Sequence, residues 1–297
     1  MFLIIATISF AQESAISISS KDNLFVEPKL EIASSTETNN NLYWKPKLEY
    51  AFTHTFSSSH EFAACQLFQK LDYDLAEIAE IRKITPFPAT LTVEVDGITE
   101  ESVMIQNSEN ATESKILKFK ILTVNCEKVH YFDMIVEKVK FSFPDSSVEL
   151  DYLDKGRLKF FSASKIGLEI LVSESDILEV LKLYPKAKAL SGVKVTLSPN
   201  KCSSKGRVKL GILVAEFKFN GHLNQISPKK VNFVCDKLTI NSIPQPRAFV
   251  KSIMNYVNPV YDSSKIWINL NVENMKLIKG FVETKASIEK KVRVNAN

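Results

Sequence analysis

Apolar and polar residues alternate over most of the chain, and only three stretches repeat at helical spacing. The alternation predicts strands at Thr90–Val95 and Ser102–Gln106, joined across Asp96-Gly97, a dipeptide suited to tight hairpins. Ile116–Val124 and Val129–Phe143 read as long strands. In the second of these, Val136, Val139, Phe141 and Phe143 break strict alternation, which calls for a bulge or burial on both faces. Arg157–Val172 and Val193–Leu197 follow. Arg207–Phe219 alternates at Val208, Leu210, Ile212 and Val214 before the phase shifts to Phe217 and Phe219. Val231–Ile240 sets Val231, Phe233 and Cys235 against polar neighbours. Lys265–Val272 and Leu277–Val282 complete the set, separated by Glu273-Asn274.

The helical stretches carry their own punctuation. His60–Arg82 repeats Leu67, Leu71, Leu75, Ile78 and Ile81 on one stripe before Pro86 and Pro88. Ser173 and Asp176 form a capping box, with Ile177, Leu178, Leu181 and Tyr184 behind it and Pro185 as a limit. The third helix begins at Pro244 and Pro246 and stops near Asn258, because Pro259 disfavours helical backbone in the residue before it. Phe249 and Ile253 make one apolar row on it, Val250 and Met254 a second, and Val257 extends the stripe; Arg247, Lys251 and Asn255 lie opposite. Such a stripe serves a dry core and an acyl-chain groove equally well.

About nine strands and three helices joined by short polar turns predict an α+β fold. The expectation is a long, curved antiparallel sheet with the helices on its concave face. One domain is read over residues 60–287, with a basic tail at 288–297. Residues 12–59, rich in Ser, Asn and Thr, read as a mobile extension or as an organelle-targeting leader of the algal plastid type. Phe2–Ala11 has the length of a signal-peptide core and ends on small residues, which predicts export to an envelope or secretory compartment; a buried N-terminal strand is the alternative.

Composition narrows the function by exclusion. The 297 residues are 45% hydrophobic, enough for a sizeable core. A net charge of +4 is too small an excess for a nucleic-acid partner, yet it suits an anionic membrane surface. His54, His60, His130 and His222 are scattered, and no nucleophile elbow, phosphate loop or dinucleotide fingerprint occurs. No enzyme, cofactor or metal is therefore expected. Cys65, Cys126, Cys202 and Cys235 permit two disulfides; Cys202–Cys235 is the favoured bridge and buried free thiols the alternative. Asn110-Ala111-Thr112 is a glycosylation acceptor in a eukaryotic secretory pathway.

Two segments carry a resemblance. Ile240, Asn241, Ile243, Pro244, Pro246, Val250, Asn258, Pro259 and Asp262 follow the order strand, Pro-x-Pro, helix, Asn-Pro, strand; Ser242 stands where that pattern usually has Gly. Val148–Leu158 supplies a second segment, ending Gly156-Arg157-Leu158. Over Leu75–Lys285 the chain resembles the LmeA-like family of exported phospholipid-binding proteins. The resemblance implies a tubular lipid-binding architecture and non-catalytic binding or transfer of phospholipid. The implied acyl-chain groove takes its lining from Leu71, Leu75, Ile78, Ile177, Leu181, Leu210, Ile212, Phe249, Ile253 and Val257. Arg247, Lys251, Lys279 and Lys285 would stand at its rim. The competing reading is a structural or interaction protein of a membrane assembly, with a solid core and no ligand.

Overall fold

The protein is strand-rich and its strands pair antiparallel in the main. A computed structural model describes residues 30–37, 41–57, 69–72, 90–106, 111–131, 134–183, 189–210, 212–263 and 270–289. Among these the chain divides into two compact units. An N-terminal unit takes the residues up to Cys126 together with Lys140–Gly167; a C-terminal unit takes Glu127–Val139 and Leu168–Ile288. Among the described residues fourteen strands fall into two open sheets, neither of which closes on itself.

The N-terminal unit contains β1 (Leu30–Glu37), helix α1 (Asn41–Ser57), β2 (Thr90–Gln106), most of β3 (Ala111–Tyr131), the second part of β4 (Met134–Glu149), the single-turn helix α2 (Leu150–Leu153) and β5 (Phe160–Ser162). Trp44, Leu48, Ala51 and Phe52 recur at helical spacing, and all four are buried. Strand β1 and helix α1 fall within the stretch 12–59. Helix α1 packs on β2, where the Glu49 carboxylate accepts the Val93 N–H at 3.0 Å. Phe52 stacks on Phe143 with centroids 6.2 Å apart, and Phe143 meets Phe160 at 5.4 Å.

Several predicted boundaries are corrected here. The hairpin across Asp96-Gly97 does not form: Thr90–Gln106 is one strand, β2, and β1 pairs with its second half from Leu30↔Ile105 to Glu37↔Thr99. Gly97, at φ 62, is an irregularity absorbed inside that strand. Arg157–Val172 divides at Ala163-Ser164 into β5 and β6 (Lys165–Ser173). The helix predicted over His60–Arg82 is interrupted within its described part. There Asp72 adopts φ 64 and donates its N–H to the Gln69 carbonyl, closing a turn. The rest of that stretch lies outside the described residues, as do Phe2–Ala11, Asn110's neighbours at 107–110, and Cys65.

The C-terminal unit is built on a sheet ordered β11-β10-β9-β8-β7: β7 (Leu190–Ser198), β8 (Lys201–Leu210), β9 (Leu213–Ser227), β10 (Lys230–Ile240) and β11 (Ile243–Pro244). β12 (Tyr261–Asp262) pairs with β10. The run Arg207–Phe219 is therefore a hairpin and not a strand. Its arms close from Cys202↔Gly221 to Leu210↔Leu213, so unbroken alternation through Ile212 conceals a turn. At the C-terminal end, Glu273-Asn274 is a bulge within β13 (Leu270–Ile278) and not a turn. The bulge puts two exposed residues in sequence, so Val272 and Met275 are both buried three positions apart. The reversal comes later, at Lys279-Gly280, ahead of β14 (Phe281–Glu289).

One residue on β7 and one on β10 have their outward backbone groups bonded by other elements. On β7, the Glu174 carboxylate accepts the Leu197 N–H at 2.6 Å, and Gly280 donates its N–H to the Leu197 carbonyl at 3.1 Å. On β10, Asn258 accepts the Phe233 N–H at 2.7 Å through Oδ1 and donates Nδ2 to the Phe233 carbonyl at 2.9 Å. Unpaired strand edges template unwanted pairing, and these contacts satisfy the edge at Leu197 and Phe233.

Candidate functional site

The pairing register of the C-terminal sheet sorts its residues onto two faces. On the inner face, Cys202↔Gly221↔Cys235, Ser204↔Phe219↔Leu238 and Gly206↔Phe217↔Ile240 run across β8, β9 and β10. Val195 and Leu197 of β7 extend these rows. The two glycines admit aromatic rings onto the face. A Cβ on Gly206 would stand 2.9 Å from the Phe217 ring, and a Cβ on Gly221 would overlap the ring of Phe233. Phe219 lies between them, stacked on Phe217 at 6.4 Å and edge-on to Phe233 at 5.7 Å. Aromatic pairs of this kind gain about 0.5–1.5 kcal/mol beyond their area.

One end of this face is closed and the other is open. β13 packs across β7, β8 and β9, with Gln225 Nε2 donating to the Val272 carbonyl at 2.7 Å. Leu197, Gly221 and Val231 are buried at that end. Toward the opposite end Val195, Val208, Ala215, Phe217, Phe219, Leu238 and Ile240 remain only half-buried. Helix α3 (Glu174–Leu183) packs on β7, and helix α4 (Arg247–Val257) on β10. The predicted capping box is present on α3: Ser173 Oγ accepts the Asp176 N–H at 3.2 Å, and Asp176 accepts the Ser173 N–H at 2.8 Å.

The residues expected to line a groove are not gathered in one place. Ile177 and Leu181 on α3, and Ile253 and Val257 on α4, are half-buried, while Phe249 is 44% exposed. The strands that carry α3 and α4 are three spacings apart, roughly 14 Å, so the helices stand at opposite margins of the sheet. Leu210 ends β8, and Ile212 sits at the hairpin turn, 97% exposed and outside any lining. Leu71 is fully buried in the N-terminal unit and faces no open surface. Leu75 and Ile78 lie outside the described residues. Arg247, Lys251 and Lys279 are exposed, and Lys285 pairs with Glu169 at 3.1 Å. The phenylalanine floor was missed as a site, although the spacing of Phe217, Phe219 and Phe233 signalled it.

The outer face has different chemistry. A depression of about 390 Å³ is lined there by Thr196, Ser198, Ser203, Asn220, Asp236 and Lys237, among others. His222 pairs with Asp236 at 3.2 Å. Among the described residues no three His, Cys, Asp or Glu side chains are arranged to hold a metal ion, and no helix is long and apolar enough to cross a membrane.

Among the described residues the thiols of Cys126, Cys202 and Cys235 are free. Cys202 and Cys235 both oppose Gly221 from the two sides of β9, which sets them two strand spacings apart, roughly 9.6 Å. A disulfide needs Cα atoms within about 7 Å, so the expected bridge is not made. Burial pushes the Cys126 thiol up to about 12. Burial, aided by the Glu174 charge, pushes Cys202 up to about 11. Thiols held protonated in this way are poor nucleophiles.

No protein-family model matches the chain, and no curated protein matches its sequence.

Proposed function

We propose that the C-terminal unit binds phospholipid without catalysing a reaction, laying acyl chains along the open half of its inner sheet face. The observation that carries this reading is the incomplete burial of that face. A row of phenylalanines is assembled on glycines, sealed by β13 at one end and left half-covered at the other. A sheet that needed only a core would cover both ends, since each exposed methylene forfeits about 0.8 kcal/mol. Each acyl methylene laid on the face recovers a similar amount, so a few carbons suffice for useful affinity.

In this reading the sheet curves about the ligand. Helices α3 and α4 form its margins, and the headgroup stays at a rim that includes Arg247 and Lys251. The resemblance of Ile240–Asp262 and Val148–Leu158 to the LmeA-like family supports the same assignment, together with export directed by Phe2–Ala11.

Ile253→Asp tests the reading. A carboxylate among acyl chains is costly, whereas the empty face would let it reach water. Lipid recovered by organic extraction of the purified chain should fall sharply while thermal unfolding stays cooperative. Unfolding of the variant would make Ile253 part of a dry core and favour the structural alternative. Unchanged lipid content in a folded variant would move the site off α4.

A further inference from the structure

We propose that the β8–β9 hairpin is a membrane-docking element whose tip inserts into the interface of an anionic bilayer. The proposal deepens the lipid-binding reading by naming the surface of approach, and it can fail independently of lipid uptake. Hairpin turns ordinarily carry Gly, Asn or Asp, which tolerate water and the required backbone angles. Here Gly211 supplies that residue, but the rest of the turn and the start of β9 read Ile212-Leu213-Val214, which are 97%, 68% and 59% exposed. Three consecutive large aliphatic residues at the end of a projecting hairpin are poorly placed in water and well placed among acyl chains.

The charges that follow the tip fix the partner's sign. Val214 opposes Lys209 on the outer face. Farther along that face Lys194, Lys205 and Lys218 lie directly opposite one another across β7, β8 and β9. All three are exposed, and none makes an ion pair among the described residues. Like charges placed opposite each other on neighbouring strands repel and destabilise a sheet. A plane of lipid phosphates would convert that repulsion into attraction. The nearby acid, Glu216, is already engaged by Arg207 at 3.4 Å. The hairpin therefore presents an apolar end continuous with a basic face, which is the arrangement that an anionic membrane surface recognises.

The test uses the purified full chain and sedimentation with vesicles of phosphatidylcholine, with and without phosphatidylserine. The wild type should bind the phosphatidylserine vesicles, lose that binding in high salt, and bind phosphatidylcholine weakly. Reversing two lysines in a Lys205→Glu/Lys218→Glu variant should weaken binding by roughly tenfold or more, and Ile212→Glu/Val214→Glu should do the same. All four positions are exposed, so circular dichroism and the melting temperature should not move, and lipid extracted from either variant should equal that of the wild type. Ile253→Asp should give the reverse pattern, with vesicle binding kept and lipid lost. Failure of the folded wild type to bind anionic vesicles overturns the proposal, as does unchanged binding by both double variants. A wild type that is dimeric and indifferent to vesicles, with a monomeric tip variant, would assign the tip to a second copy of this chain and overturn it as well.

Discussion

Asn258 ties the end of α4 to the edge of the sheet, and its removal should loosen one margin of the proposed lipid face. Its amide makes two bonds to a single residue, accepting the Phe233 N–H at 2.7 Å and donating to the Phe233 carbonyl at 2.9 Å, in a half-buried setting. Each such bond contributes roughly 1 kcal/mol net, and more if the abandoned backbone group stays dry. Asn258→Ala should therefore cost about 2 kcal/mol in urea unfolding of the full chain, or about 4–8 °C in melting temperature. Asn258→Asp separates the two bonds. It keeps the acceptor but sets a carboxylate oxygen against the Phe233 carbonyl, which raises the pKa of the new acid in the folded state. A group with a raised folded pKa stabilises below its unfolded pKa and loses that contribution as pH rises. The deficit of the Asp variant relative to wild type should thus be larger at neutral pH than near pH ~4. An Asn258→Ala loss under about 0.5 kcal/mol would refute the reasoning, since that is the scale of an ordinary surface change.

Two further outcomes follow from the same geometry. Ser173→Ala removes the acceptor for the Asp176 N–H and should cost about 1 kcal/mol, read by urea unfolding; an unchanged midpoint would mean that α3 does not depend on its cap. Cys126 remains protonated in the folded state up to about 12, against 9.0 for the unfolded thiol, so its contribution is complete below pH 9 and is lost as pH climbs through that window. The stability advantage of wild type over Cys126→Ala should shrink by about 2 kcal/mol between neutral pH and pH ~10.5, and a constant difference would show that the thiol ionises as readily as in the unfolded chain.

The sequence exposed local determinants better than long-range ones. The capping box at Ser173 and Asp176, the strand Lys230–Ile240 and the helix ending at Val257 were legible because each is set by neighbours within a few residues. Reversals were harder. Ile212 continues the apolar alternation of β8 although it occupies the turn, and Glu273-Asn274 has turn-like polarity although β14 pairs straight past it with a bulge. Likewise Asp96-Gly97 reads as a hairpin, yet Thr90–Gln106 continues through it as one strand whose second half pairs with β1, some sixty positions away. Helix α1 was overlooked because the surrounding Ser and Asn masked the spacing of Trp44, Leu48 and Phe52. The candidate site was only partly readable for the same reason. Phe217 and Phe233 are visible as apolar positions, but the glycines that let their rings lie on the sheet belong to neighbouring strands, so only register brings them together.

The central claim is that the open inner face of the C-terminal sheet is occupied by phospholipid. It is tested most directly by native mass spectrometry of the purified full chain, followed by organic extraction and identification of whatever dissociates. The account predicts a folded protein carrying phospholipid at a fixed stoichiometry, with the bound species lost in Ile253→Asp. A folded protein that carries no lipid, and takes none up from vesicles offered in excess, would contradict it.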